Sequence, residues 1–153
     1  MERSVPTYED AQLILKLYEL RRDEKLRAAR EWFIQRFFPT KNEDLDTVTG
    51  STASDNISFR MVTSYWDMAA SFVARGILNI DLFLDSSGEM IVVWAKLEPF
   101  IAHLRQTQSN PAYLANIEKV VQSSARAKDR ILAARQRITR ARERYAATGG
   151  KGS

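Results

Sequence analysis

Cysteine is absent from this chain of 153 residues. Its absence excludes disulfide frameworks, thiolate zinc sites and cysteine nucleophiles, and without a secretory signature it points to a reducing, cytoplasmic setting. Histidine occurs once, as His103, with no second metal ligand beside it. Long apolar runs are missing too: the longest covers residues 90–95, whereas a membrane-spanning helix needs about 20 mostly apolar residues. The first residues carry charge early and lack the apolar centre of a signal peptide. No glycine-rich run follows a strand, so there is no phosphate-cradling loop, and neither a cofactor nor a bound metal is expected.

Apolar residues make up 44% of the chain, the ordinary level for a globular domain. At this length roughly 70% of the unfolded surface can leave water, so a core forms without staples. Charge is distributed unevenly. Residues 125–153 hold nine Lys or Arg against two acids, a local balance of +7, while residues 1–124 hold fourteen against seventeen, or −3. That asymmetry calls for an acidic counterpart in another protein, in nucleic acid or within the chain.

The chain reads as helices. Thr7 with Asp10 forms a loose capping box, and no Pro or Gly follows until Pro39, which predicts one long helix over 8–38. Leu13, Leu17, Leu20, Leu26, Ala29, Phe33 and Phe37 recur at spacings of three and four, mostly, while Asp23, Arg27 and Glu31 form an exposed ladder. Residues 40–56 are polar and aperiodic, a surface loop. Ser54 or Asp55 caps a second helix with Ile57, Met61, Tyr65, Met68 and Phe72 joined by Val62, Trp66, Ala69 and Val73, a stripe wide enough for a central helix that Gly76 ends. Asn79 caps a short helix. Met90, Trp94, Leu97, Ile101 and Leu104 mark another, kinked at Pro99. The β-branched residues from Met90 to Trp94 could pass for a strand, but no second strand exists to pair with it. Beyond Asn110 and Pro111, residues 112–147 contain no Pro or Gly and predict a last helix of roughly 50 Å.

That last helix is the most informative segment. With Ile117, Ser124, Ile131, Ile138 and Tyr145 at heptad position a, position d falls on Val120, Ala127, Ala134 and Ala141. Lys128, Arg135 and Arg142 then lie at e, and Arg130, Arg137 and Arg144 at g. Both flanks of the seam are basic, which opposes pairing between two copies and favours an acidic partner helix. Within the chain, Glu9, Asp10, Glu19, Asp23, Glu24 and Glu31 are the candidates; outside it, an acidic protein helix or nucleic-acid phosphate. The phosphate reading is the weaker, because Tyr145 is the only aromatic residue interleaved with Arg126, Arg130, Arg135, Arg137, Arg140, Arg142 and Arg144.

Candidates for chemistry are few. His103 lacks a well-placed carboxylate, since Glu98 five residues earlier fits poorly on a helix, so it reads as a surface or interface histidine. Asn42, Asp44 and Asp46 imitate the opening of a calcium loop, yet Thr47 replaces the required Gly and Ala53 the bidentate Glu. Asp67 shares a polar stripe with Arg60, Ser64 and Ser71 on an apolar helix. It reads first as a carboxylate paired with Arg60, Arg75 or another helix's arginine, and second as the floor of a small-ligand cleft flanked by Trp66 and Trp94.

The order and spacing of Tyr65, Trp66, Asp67 and Met68, then Val73 to Gly76, Asp81 and Phe83, Trp94, Lys96, Pro99 and Phe100, and Leu104 with Arg105 resemble a family of small bacterial helical proteins known only as a domain of unknown function. The resemblance covers about residues 57–121. It implies a helical fold and no established activity, and some members carry membrane-spanning helices that this chain lacks.

The expected molecule is therefore an all-α antiparallel bundle of four or five helices with long first and last members. Residues 1–147 form one domain, 125–147 being a basic helix end able to project, and 148–153 a flexible tail. The expected function is non-catalytic: an adaptor or assembly subunit docking an acidic protein surface through Lys128, Arg130, Ile131, Arg135, Arg137, Ile138, Arg142 and Arg144. Nucleic-acid binding by the same arginines is the alternative, and the cleft near Trp66, Asp67 and Trp94 the second.

Overall fold

The computed structural model describes residues 5–50, 52 and 54–150. Every regular element among them is helical, as the periodicity predicts, and the 90–94 segment is helix, not strand. The helices are shorter and more numerous than expected, because the two long terminal ones are each broken.

The first break comes at residues 22–23. Helix α1 (Tyr8–Arg21) starts at the anticipated capping box: the Asp10 amide donates to Thr7 Oγ1 at 3.3 Å and the Thr7 amide to Asp10 Oδ2 at 2.7 Å. The Arg22 amide closes α1 on the carbonyls of Glu19 and Leu20. Asp23 then leaves helical geometry (φ −54°, ψ 132°) and accepts from the Leu26 amide at 3.0 Å, capping helix α2 (Glu24–Gln35). Asp23 is thus a cap instead of a rung in a charged ladder, an exchange its short acceptor side chain favours.

The polar segment 40–56 contains a helix, α3 (Asn42–Thr49). Asp44 organises its start, accepting from the amides of Thr40 at 2.8 Å and Lys41 at 3.2 Å, and those donors hold its carboxyl below the usual carboxylate range. Leu45 and Val48 are buried beneath it. Helix α4 (Ser54–Ala74) follows; Ser54 is its first residue, so neither Ser54 nor Asp55 caps it, and the residue before it lies outside those described. Its buried side is Phe59, Val62, Thr63, Tyr65, Trp66, Ala69 and Ala70, whereas Ile57 and Met68 of the expected stripe are exposed. Gly76 ends it with φ 75°, letting the Ile77 amide reach back to the Phe72 carbonyl at 2.8 Å.

Asn79 caps α5 (Ile80–Ser86) by accepting from Leu82, as expected. Helix α6 (Gly88–Leu97) runs into a 3-10 turn (Glu98–Phe100) at Pro99, where the sequence predicts a kink, and α7 (Ile101–Thr107) continues. The last expected helix is again two. Helix α8 (Ala115–Gln122) stops at Ser123, and Ser124, at ψ 119°, accepts from the Ala127 amide and caps α9 (Ala125–Ala147). Of the tail expected at 148–153, residues 151–153 lie outside those described; Thr148 closes α9.

Helices α4 and α6 are the inner pair: α4 packs on α2, α8 and α3, and α6 on α9, α2 and α8. Residues 90–97 of α6 are buried save Val92, the pattern of a helix covered all round. Phe33, Phe37 and Phe59 meet between α2 and α4 with ring centroids 5.2–6.3 Å apart.

Lys96, 5% exposed, lies within this core. Its Nζ donates to the carbonyls of Phe33 (2.7 Å), Ile34 (3.1 Å) and Phe37 (2.8 Å), capping the C-terminal end of α2, and stands 4.1 Å from the Phe38 ring centroid. Burial pulls its pKa down from 10.5 to about 7, while three carbonyls, matched one to one with the three ammonium donors, act the other way. With the folded value depressed, the unfolded chain holds a proton that the folded chain has released between the two values, so stability rises with pH there and is indifferent to this group below pH 7. Urea unfolding of wild type and Lys96→Met between pH 7 and 10 should accordingly show the wild type gaining on the variant as pH rises. A flat difference would mean that the carbonyl cap retains the proton against burial.

Candidate interaction surface

Helix α9 carries all eight residues expected to bind a partner, and the structure divides them. Ala127, Ile131 and Ala134 are buried at 0%, 4% and 0% exposure, with Ile138 half-buried. Their small side chains let α9 approach α6 closely; a methyl placed on Gly88 would stand 3.0 Å from Arg130 Nη2. Within α9 the apolar row is covered by α6 of the same chain, so Ile131 belongs to the core and not to a docking face, and the seam expected from Ile117 onward is interrupted at Ser123–Ser124. Ser124, assigned to position a, is the cap that starts the helix.

Two of the seam's flanking arginines, Arg130 and Arg135, and Arg126 outside the flanks also have partners at home. Arg126 reaches Asp85 at 2.6 Å and Asp81 at 3.8 Å, Arg130 donates to the Leu84 carbonyl, and Arg135 meets Glu98 at 2.9 Å. Burial, followed by the charges of Arg126 and Arg137, lowers the Arg130 pKa from its usual value. The acids are therefore those of α5 and the end of α6. Of the α1–α2 acids proposed for this role, Asp23 caps α2 and Asp10 accepts from the Thr7 and Asn79 amides.

Lys128, Arg137, Arg140 and Arg144 remain exposed, and Arg142 half-buried; among the described residues none of them forms an ion pair. At 100° per residue Arg137, Arg140 and Arg144 share one side of α9, a row spaced three and four residues apart. The helix end lies along the body of the protein, with Tyr145 packing on Phe38 at 5.4 Å between ring centroids. Arg142 faces a groove of about 670 Å³ whose apolar wall includes Phe38, Pro39, Phe100 and Ile138.

Asp67 has a different partner from the arginine expected. Its Oδ1 accepts from the amides of Asn116 (3.1 Å) and Ile117 (3.2 Å), and its Oδ2 from Asn116 Nδ2 (3.0 Å). It caps α8 from across the fold, where the N-cap residue Leu114 sits at φ 56° and supplies no acceptor. Asp67, Arg60 and Ser64 line a surface groove of about 800 Å³, but Trp66 and Trp94 do not; they are 1% and 3% exposed in the core. His103 has the carboxylate that sequence spacing could not find: Asp46 of α3, 2.6 Å from Nε2. The residues imitating a calcium loop form α3 instead, Ala53 lying outside the described residues. No group of three or more His, Asp or Glu among the described residues could hold a metal, and none of their helices is long and apolar enough to cross a membrane.

The residues behind the family resemblance are structural. Trp66 Nε1 donates to Glu89 at 3.1 Å, Tyr65 to the Leu17 carbonyl at 2.7 Å, and Arg105 to the Tyr113 carbonyl at 3.0 Å and Glu118 at 3.2 Å. Together they define a small all-helical domain built around buried, side-chain-capped helix ends. Residues 6–124 match the family described as Domain of unknown function (DUF4760), and the chain belongs to it. That is a wider span than the motifs alone indicate, and it ends at the cap of α9. The family has no established activity. No curated protein and no solved structure matches the chain significantly.

Because Asp67 serves two backbone donors and one amide, Asp67→Ala should cost about 1–3 kcal/mol in urea unfolding. Asp67→Asn, which keeps one acceptor oxygen for the two amides, should cost less. Equal losses for the two substitutions would show that the carboxylate's charge, not its hydrogen bonds to α8, is what matters.

Proposed function

We propose that this protein is a non-catalytic interaction module that docks an acidic surface of another protein through the outer side of α9. The observation that carries the reading is the division of charge along that helix. Upstream arginines are matched by Asp81, Asp85 and Glu98, whereas Arg137, Arg140 and Arg144 form an exposed row that makes no ion pair among the described residues. Like charges held at three- and four-residue spacing repel one another, and a complementary partner relieves that repulsion. The contact is electrostatic along its whole length, since Ile131 is occupied by the core. Substituting Ile131 would unfold the protein and test nothing about docking.

The groove beside Arg142 opens on the opposite side of α9, next to Ile138, so the row itself offers charge alone. A docked helix meets it with carboxylates spaced three and four residues apart. Nucleic acid would meet the same arginines with phosphates. Three neutralised phosphates give a slope of about −2.7 in log affinity against log salt, roughly a 40-fold loss between about 50 and 200 mM.

Fluorescence anisotropy with a labelled amphipathic acidic helix and a labelled duplex DNA separates the two. The acidic helix should bind, and Arg137→Glu/Arg140→Glu/Arg144→Glu should abolish binding without lowering the melting temperature. Tighter binding of the duplex with the steep salt slope would replace this reading with the nucleic-acid one. Binding of neither, or peptide binding that survives the triple substitution, would remove it.

A further inference from the structure

A second basic cluster lies at the corner between α1 and α2, far along the sequence from α9. Arg21, Arg22, Arg27 and Arg30 with Tyr18 line a cavity of about 520 Å³ there. Four guanidinium groups converge on one space, and one carboxylate contacts them: Glu89, which holds Arg30 through Nε and Nη2 at 2.9–3.1 Å. Arg30 Nη1 meanwhile donates to the Arg21 carbonyl at 3.0 Å, so this side chain is fully committed and fixes the corner. Arg22 and Arg27 are exposed and form no ion pair among the described residues.

Arg21 is the unusual member. It is 8% exposed, yet no acid lies within ion-pairing distance of it among the described residues. Its Nη1 donates to Tyr65 Oη at 3.2 Å, and its guanidinium carbon lies 5.1 Å from the Trp66 ring centroid and 5.7 Å from that of Tyr18. Among the described residues Nε and Nη2 meet no acceptor, neither is fully enclosed, and Arg21 lines the cavity. A buried cation is retained where an opposite charge compensates its desolvation, and among the described residues Arg21 has no ion-pair partner of its own, the neighbouring Glu89 being bound to Arg30 and Trp66. The aromatic faces of Trp66 and Tyr18 hold the planar group in place and leave its donors aimed outward.

We propose that this corner is an anion site that binds a phosphate group through Arg21, Arg22 and Arg27, with Arg30 and Glu89 holding the walls. A carboxylate pairs with one arginine fork, as Glu89 does with Arg30 while also accepting from Trp66 Nε1. Several forks around one cavity match the dianionic charge and three terminal oxygens of a phosphomonoester. The size of the cavity suits a small phosphorylated molecule or a lipid phosphate at its mouth. This site does not depend on the reading of α9, and its arginines are separate from it.

A ligand that binds the folded state alone raises its stability, so thermal unfolding at constant ionic strength reads the site directly. Inorganic phosphate and glycerol phosphate form one arm, phosphatidic-acid vesicles against phosphatidylcholine vesicles the other, with acetate as the control anion. Phosphate in at least one arm should raise the melting temperature and alter the emission of Trp66 beneath Arg21. Arg22→Gln/Arg27→Gln, which touches only exposed side chains, should weaken binding by roughly tenfold or more. Arg140→Gln on α9 should leave it unchanged. Arg21→Met should abolish it where that variant folds. Stabilisation in neither arm, or stabilisation that survives Arg22→Gln/Arg27→Gln, would overturn the proposal.

Discussion

Helix ends are the constraint on which this fold depends. Dividing a chain of this length into many short helices multiplies the terminal amides and carbonyls that have no partner within their own helix. Here those groups are met by side chains from distant elements. Lys96 takes the last carbonyls of α2, Tyr65 and Arg30 those of α1, Asn56 those of α3 and Arg130 the Leu84 carbonyl of α5, while Asp67 takes the first amides of α8. Except for those of Arg30 and Asn56, these bonds join residues 46 or more positions apart, so capping and tertiary packing are one event. A lysine or arginine at a helix C-terminus and an aspartate at an N-terminus also have the sign that the helix dipole favours.

The same constraint explains which features could be read in the sequence. Apolar periodicity located the core sides of α2, α4 and α9, and local caps at Thr7 and Asn79 were legible because acceptor and amide are three residues apart. The breaks at Arg22–Asp23 and Ser123–Ser124 were not. Neither contains Pro or Gly, and an uninterrupted helix satisfies every local rule there. What favours the first break is tertiary, Arg30 taking the Arg21 carbonyl freed at the end of α1, and at the second Ser124 caps α9 while Arg126 and Arg130 bind α5. Helix α3 was hidden for another reason. Its buried side consists of only Leu45 and Val48, too few positions for a period to show against polar neighbours.

Site reasoning met the same boundary. Asp67 stood out correctly as a polar residue on an apolar helix, but its partners are backbone amides, which no sequence pattern marks. His103 and Asp46 are 57 positions apart, beyond the reach of helical spacing. Of the expected seam, Ala127, Ile131 and Ala134 form a buried row on α9. Its cover turned out to be α6, an apolar helix followed by Glu98, so the charge complementarity comes from a few acids near helix ends instead of an acidic helix.

The matched family span ends at Ser124, yet the packing does not. Ala127, Ile131 and Ala134 complete the cover of α6, whose residues 90–97 are buried save Val92. A chain cut at Ser124 would expose that helix to water, an apolar surface of the kind that drives association. The inner side of α9 therefore belongs to the fold whatever its outer side does, and the two roles separate by face: apolar residues hold the first turns to α6, and Arg137, Arg140 and Arg144 are exposed on the other side. Charge reversals confined to Arg137, Arg140 and Arg144 consequently probe function with the core intact, where deletion of the helix would confound the two.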